Sequence, residues 1–367
     1  GLARFFVLEP GNWFGYNTAV RSPYGIFQHR NVMASFVATG MVLALYLWLN
    51  EAKSPWRGFV LKSVWFSAVL GAGGMLVVLL QSRAGQLGLL LGLLLLQPLI
   101  WQTLIKTRSK RLLASLLLIP LGIVLGVFGL DAFDMSKRSL SIYTQADGRF
   151  DIYAHGLRMW LDKPWCGFGY GSFESAFYST YADWRELTPG APPLFTEMGH
   201  PHNEFLLWAI EGGVVPLLGL VLMTGLVLQL LYRLPFAQSL AWVGVLTPIF
   251  IHSQTEFPFY HSLPHWFMIL VLIYVMDAEY GQRRLLAAPA AWSRWPLRAW
   301  GLGLMLFMAT GLYAGQQLTR YEQNEDRTEA QLQAVVNPLI WYDRVAFYRH
   351  HWQLSRALLA QDREQLL

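Results

Sequence analysis

Two histidines and three arginines carry the chemistry that this sequence can offer. The run GHPHNEFLLWAIEGG places His200, His202, Asn203, Glu204 and Glu211 within one short segment. Histidine is the side chain best poised to move a proton near neutral pH, so His202, with His200 as its rival, is a candidate general base. A loop whose histidines only form hydrogen bonds is the plainer alternative. A metal site is a third, since Pro201 forces an extended chain and His-x-His spacing occurs in zinc sites. Zinc needs three or four ligands, however, and neither HExxH nor a cysteine set is present. Arg83, in LLQSRAGQLG, is the only charge between two strongly apolar stretches, and a charge at membrane depth implies a function, a partner or an interfacial anchor. Arg149, in ADGRFDIYAHGLRMW, has Asp147 and Asp151 nearby as ordinary ion-pair partners, and Arg158 competes with it for any anion. The GFGYGSF run has GxGxG spacing but lacks the strand-then-helix context of a dinucleotide site, so it reads as a tight turn. Glu256 and His261, in TEFPFYH, satisfy each other or the backbone, with a secondary substrate role as the alternative.

The elements that must position these residues follow from composition. Hydrophobic residues make up 54% of the 367 and charged residues only 14%, against about 25% charged in soluble domains. The apolar residues lie in long runs, which excludes an ordinary cytosolic enzyme, a disordered chain and a disulfide-stapled secreted domain. With a single cysteine, Cys166, there is no intramolecular disulfide and no cysteine metal site. The net charge of +5 reports membrane topology, not nucleic-acid binding. A bilayer core takes about 20 apolar residues of helix, because lipid leaves no backbone amide a partner outside the helix. Eight stretches qualify: Val32–Leu49, Phe59–Leu80, Gln86–Ile105, Leu112–Leu130, Val214–Tyr232, Ser239–Phe250, Pro264–Met276 and Leu297–Gly315. The fold class is therefore an all-α polytopic membrane protein. The chain begins at Gly1, with no signal peptide before the first span, and reads as a fragment whose earlier spans are missing.

Alternate connections differ in charge. One set holds Lys53, Arg57, Lys106, Arg108, Lys110, Arg111, Arg233, Arg283, Arg284 and Arg294, whereas the short connections of the other set, 81–85 and 254–263, hold only Arg83. The positive-inside rule places the first set in the cytoplasm. Residues 1–31, 81–85, 131–212, 254–263 and 316–367 then face the other side, the periplasm of a Gram-negative cell. This divides the chain into membrane helices over 1–130, a large periplasmic loop over 131–212, membrane helices over 213–315, and a helical periplasmic tail over 316–367. The tail contains RYEQNEDRTEAQLQAVV and a second amphipathic segment after Pro338, too little to establish a repeat. Arg83, Arg149 and His202 are thus distant in sequence but share one face of the membrane. Two guanidiniums, which grip phosphate oxygens with a rigid fork, beside an imidazole would suit a diphosphate leaving group next to a general base.

The same residues resemble those of the O-antigen ligase and O-oligosaccharyltransferase superfamily of bacterial inner membranes, including its pilin-glycosylating branch. The resemblance rests on His202-Asn203, nine residues, then Gly213 with Pro216 at the place of a second glycine; on SRAG at Arg83; and on Arg149 opening a helix that leads into Asp162-Lys163-Pro164-Trp165-Cys166-Gly167-Phe168-Gly169. Gln28 and Asn31, in GIFQHRNVMASF, are similar to a Gln-x-Asn element of the protein-glycosylating branch, with Arg30 where that branch has Pro. The resemblance implies an undecaprenyl-pyrophosphate-linked oligosaccharide donor and metal-independent, inverting transfer with no cofactor. It implies His202 as base, Arg83 and Arg149 on the pyrophosphate, and Gln28, Asn31, Asn203, His200 and Arg158 in substrate binding. The acceptor it implies is a pilin-like protein, with lipid A core or a growing glycan chain as the alternatives; the Gln28–Asn31 element and the polar tail favour protein. A lipid-linked sugar flippase is the reading from another class. It would carry charges along the spans, which here are nearly uncharged.

Overall fold

The computed structural model describes Leu2 and residues 22–27, 29–51, 59–133, 135, 149–190, 198–281, 294–323, 327–339 and 341–359. Helices account for all regular structure among these residues. Seven helices are long and apolar enough to cross a membrane. They are α1 (Arg30–Glu51), α2 (Phe59–Leu80), α3 (Arg83–Thr107), α4 (Lys110–Ala132), α8 (Val214–Tyr232), α9 (Phe236–Thr255) and α11 (Leu263–Tyr280). Between α4 and α8 lie α5 (Arg149–Asp162), α6 (Phe173–Leu187) and α7 (Glu204–Gly212), and the short α10 (Pro258–His261) precedes α11. The chain is an all-α polytopic membrane protein. The sixth and seventh predicted spans extend at both ends, because Pro248 is accommodated inside α9 and Pro264 lies in the first turn of α11, where its missing N–H costs nothing. The eighth predicted span, 297–315, is not among the seven; it lies inside a single 30-residue helix, α12 (Arg294–Gln323), whose apolar stretch carries Arg298 and runs on into polar sequence.

Lipid provides no hydrophobic drive between spans, so close approach at small residues is what packs them. Gly85, Gly88 and Gly92 lie on one side of α3. A Cβ on Gly85 would sit 2.5 Å from Ala34 of α1, and one on Gly88 or Gly92 would sit 2.7 Å from Pro248 or 2.9 Å from the Gly244 carbonyl of α9. α3 is thereby held against both helices. The tight reversal from α2 into α3 turns on Gln81, which adopts φ +49°. Ser82 then caps α3, accepting the Gly85 N–H at 3.3 Å. These contacts bring the N-termini of α1 and α3 and the C-terminus of α9 to one end of the bundle. Side chains such as Leu117, Leu121 and Phe128 on α4 and Val221, Leu222 and Leu226 on α8 remain exposed, as lipid-facing residues do.

Helices α5, α6 and α7 cover that end with a core of their own, including Ile152, Met159, Phe173, Phe177, Tyr181, Leu207 and Ile210. The predicted tight turn at 167–173 is present and has a definite task. Phe168 and Gly169 donate to the carbonyls of Ile210 and Glu211, at 2.8 and 2.9 Å, and Val214 N–H donates to the Pro164 carbonyl at 2.7 Å. Gly167 and Gly213 both have positive φ, and a Cβ on either would run into the facing backbone. This interlock sets the C-terminus of α7, and so the direction in which α7 presents the segment before it.

Residues from Arg284 onward form a separate compact unit. In it α12, α13 (Glu329–Gln333) and α14 (Tyr342–Leu359) bury Ala314, Leu318, Tyr321, Leu332, Val335 and Val345.

Candidate active site

Glu256, immediately after α9, is the hub of a polar cluster at the covered end. Its Oε2 lies 3.3 Å from His202 Nδ1 and 3.9 Å from His200 Nε2. Its Oε1 accepts from Asn31 Nδ2 at 3.4 Å and lies 3.8 Å from an Arg149 guanidinium nitrogen. Burial works against ionisation of this carboxyl, but the hydrogen bond from His202 and the electrostatic interaction with the neighbouring histidines outweigh it and hold it down to about 2. Glu256 is therefore a carboxylate, and a carboxylate only accepts. His202 must then present a hydrogen on Nδ1, and in the neutral ring this leaves Nε2 with the lone pair. This is the arrangement in which a carboxylate fixes the tautomer of a basic histidine.

The scaffold holds the pair from several sides. His202 has φ +52°, an uncommon conformation for a residue with a side chain and one that clusters at functional sites. Tyr153 shares its one hydroxyl hydrogen between the His202 carbonyl, at 3.1 Å, and the Gln254 carbonyl, at 3.3 Å, tying the loop to the end of α9. Tyr153 lies one helical turn beyond Arg149, so α5 directs both toward the same place. Asn203 caps α7 by accepting the Leu206 N–H at 3.0 Å and donates to the Gln254 carbonyl at 3.3 Å. The buried Glu204 accepts from the backbone N–H of Phe259 at 3.0 Å, and burial pushes its carboxyl up to about 7.

Two adjoining cavities open on this cluster. One of about 320 Å³ is lined by His29, His200, His202, His252, Glu256 and His261, among others. The second, of about 220 Å³, is lined by His29, Asn31, Arg83, Arg149, Thr255 and Glu256. The predicted Arg83, Arg149, Asn31, His200 and His202 thus converge, with Arg83 and Arg149 on one cavity and the histidines on the other. Arg158 does not join them; its guanidinium stacks over Trp184 at 4.5 Å. Asn203 uses one donor and one acceptor of its amide on the scaffold beside His202. Gln28 lies outside the described residues. Arg149 forms an ion pair with Glu256, and Asp147 lies outside the described residues. The sequence reading gave Glu256 a minor part and missed His29 altogether; the odd placement of a carboxylate directly after a span was the available signal for Glu256.

His200, His202 and Glu256 each bring one ligand atom within 4.8 Å of the others, a set that a divalent metal could use. Two of these atoms, His202 Nδ1 and Glu256 Oε2, are hydrogen-bonded to each other at 3.3 Å. His200 Nδ1 accepts the backbone N–H of His202 at 3.1 Å, so in the neutral ring Nε2 carries the hydrogen. Burial, and then the proximity of His202, push His200 down to about 3, which keeps that ring neutral. In this pattern His202 Nε2 is the ring nitrogen left to accept, and the His200 ring faces Glu256 at 3.9 Å, beyond hydrogen-bond range.

Three family profiles match the chain: O-antigen ligase over residues 66–223, the C-terminal part of a virulence factor membrane-bound polymerase over 240–367, and protein glycosylation ligase over 23–48. Together the three matches support the O-antigen ligase and protein-glycosylation ligase superfamily. Neither the curated proteins nor the solved structures provide a match. The ligase profile over 66–223 contains Arg83, Arg149 and His202, and the polymerase profile contains Glu256. The clustered residues are thus drawn from three separately matched segments, with Asn31 from the third.

Proposed function

We propose that the protein transfers an oligosaccharide from undecaprenyl pyrophosphate to a Ser or Thr hydroxyl of a periplasmic protein such as a pilin, by a metal-independent, inverting displacement. It works in the bacterial inner membrane with its site toward the periplasm. The observation that carries this reading is the His202–Glu256 pair beside a cavity bordered by two arginines. His202 Nε2 removes the proton of the acceptor hydroxyl. The oxygen attacks the anomeric carbon, the bond from that carbon to the pyrophosphate oxygen breaks, and undecaprenyl pyrophosphate leaves. Because one displacement occurs, the configuration inverts. Arg83 and Arg149 are pre-aimed at the charge that grows on the leaving group, where fixed cations in a dry site act most strongly. Glu256 stabilises the imidazolium as it forms. The glycosylation-ligase match over 23–48, which includes Asn31, supports a protein acceptor.

The test supplies a lipid-linked glycan, a pilin and lipid A core together to membranes of a host that lacks its own ligase. Blots for glycan on each acceptor are compared for wild type and His202→Ala. Glycan on pilin, lost in the variant, is the expected result. Glycan on lipid A core would reassign the acceptor, and full transfer by His202→Ala would remove the base assignment.

A further inference from the structure

The mechanism above leaves one wall of the larger cavity unused. That wall includes His252, on α9, which is fully buried yet borders the cavity shared by His200, His202 and Glu256. Its Nδ1 lies 2.6 Å from Ser35 Oγ on α1. The same Oγ is 3.0 Å from His265 Nε2 on α11 and 3.1 Å from the Val32 carbonyl. His265 Nδ1 in turn lies 2.8 Å from Ser262 Oγ. A four-member polar chain therefore crosses three helices inside an otherwise apolar bundle. Every ring nitrogen in it is satisfied except one, His252 Nε2, which is buried and has no hydrogen-bond partner.

Buried polar atoms are nearly always paired, so an orphan at a cavity wall points to a missing ligand atom. The chain narrows what that atom is. Ser35 has one hydrogen to give. If it goes to the Val32 carbonyl, His252 donates from Nδ1 and Nε2 is an acceptor. If it goes to His252 Nδ1, Nε2 carries a hydrogen and donates. An ammonium could serve only the first case and a carboxylate or phosphate only the second. A hydroxyl, both donor and acceptor, serves either.

We propose that His252 is a substrate-contacting residue whose Nε2 hydrogen-bonds an alcohol hydroxyl in the cavity, either that of the acceptor side chain or one on the transferred sugar. Ser35, His265 and Ser262 are positioning residues that fix its ring. The assignment rests on the transferase reading and adds a contact on the cavity that His202 also lines. Sited there, the contact holds the hydroxyl or the sugar against drift while His202 acts.

The experiment measures steady-state transfer in membranes by wild type, His252→Ala, His252→Gln and Ser35→Ala, varying donor and acceptor separately, with a melting curve for each. His252→Ala is expected to lower kcat/KM at least about 10-fold, the effect of losing a well-made hydrogen bond. His252→Gln, whose amide can donate or accept, is expected to recover part of that loss, and Ser35→Ala to fall between. A rise confined to the acceptor KM assigns the hydroxyl to the acceptor; a rise confined to the donor KM assigns it to the sugar. Constants within about 2-fold of wild type for His252→Ala would overturn the proposal in favour of a buried water on Nε2. Equal losses in Ala and Gln variants, tracking a lowered melting temperature, would also overturn it and make the chain structural. Wild type that transfers to no acceptor would remove the transferase reading and this assignment with it.

Discussion

Replacing Glu256 by Gln is the sharpest perturbation of the proposed site, because it keeps shape and removes only the charge. The amide can accept on one side and must donate on the other. The Oε1 side faces Arg149, which can only donate, and Asn31, whose amide donates there. The Oε2 side faces two imidazoles, which can change tautomer. The amide oxygen therefore takes the Asn31–Arg149 side, and its NH₂ group points at His202 Nδ1. His202 must then accept on Nδ1 and carry its hydrogen on Nε2, the atom that has to be a base. General-base catalysis is worth about 10²–10⁴-fold, and a wrong tautomer in a serine-protease triad costs about 10⁴-fold. Glu256→Gln is expected to lower kcat at least about 100-fold, a loss of about 2.7 kcal/mol of transition-state stabilisation. The assay is transfer of labelled lipid-linked glycan to acceptor protein in membranes, with the melting temperature as a check on folding. Because the two residues act as a unit, Glu256→Gln combined with His202→Ala should be no slower than His202→Ala alone. A folded Glu256→Gln protein within about 3-fold of wild-type kcat would refute the tautomer argument.

Three further outcomes are expected. Arg83→Lys and Arg149→Lys each keep the charge but lose the fork, so each should cut kcat/KM for the donor about 10-fold or more in initial-rate measurements; Lys that works as well as Arg would detach the arginines from the pyrophosphate. The raised carboxyl of Glu204 binds its proton more tightly folded than unfolded, so its contribution to stability is full below the unfolded value of about 4.3 and is lost as pH rises through about 7. Glu204→Gln should accordingly melt close to wild type at acid pH and above it at pH about 8, with a constant difference as the contrary result in a melting series. Gly213→Ala puts a Cβ into the Trp165 carbonyl at a positive φ and should cost at least about 1–3 kcal/mol, seen as a lower melting temperature, while Gly219→Ala, with open space around it, should be silent.

How much of this was legible in the sequence depends on the range of the force involved. The spans were, since an apolar run in lipid has to close its hydrogen bonds locally, and seven of the eight predicted became helices able to cross a membrane. The parity of charged connections already put Arg83, Arg149 and His202 on one face. The turn at 167–173 was legible as a turn, through its glycines, but its partner at 210–214 was not, because the interlock joins segments about 40 residues apart.

The site depended on contacts that no spacing encodes. Arg149 and Arg158 stand on one helix and look alike in sequence; only packing shows one beside Glu256 and the other over Trp184. That Asn203 also caps α7 and ties it to the Gln254 carbonyl is likewise visible only in the packing. Glu256 and His252 lie on and just beyond α9, far along the chain from Asn31, Ser35 and His202. Sequence determined which residue types reached that end of the bundle, because hydrophobic length and charge act on each span separately. The tertiary structure alone decided which carboxylate faces which imidazole, because hydrogen bonds form only where helices from distant parts of the chain set two side chains within about 3 Å of each other.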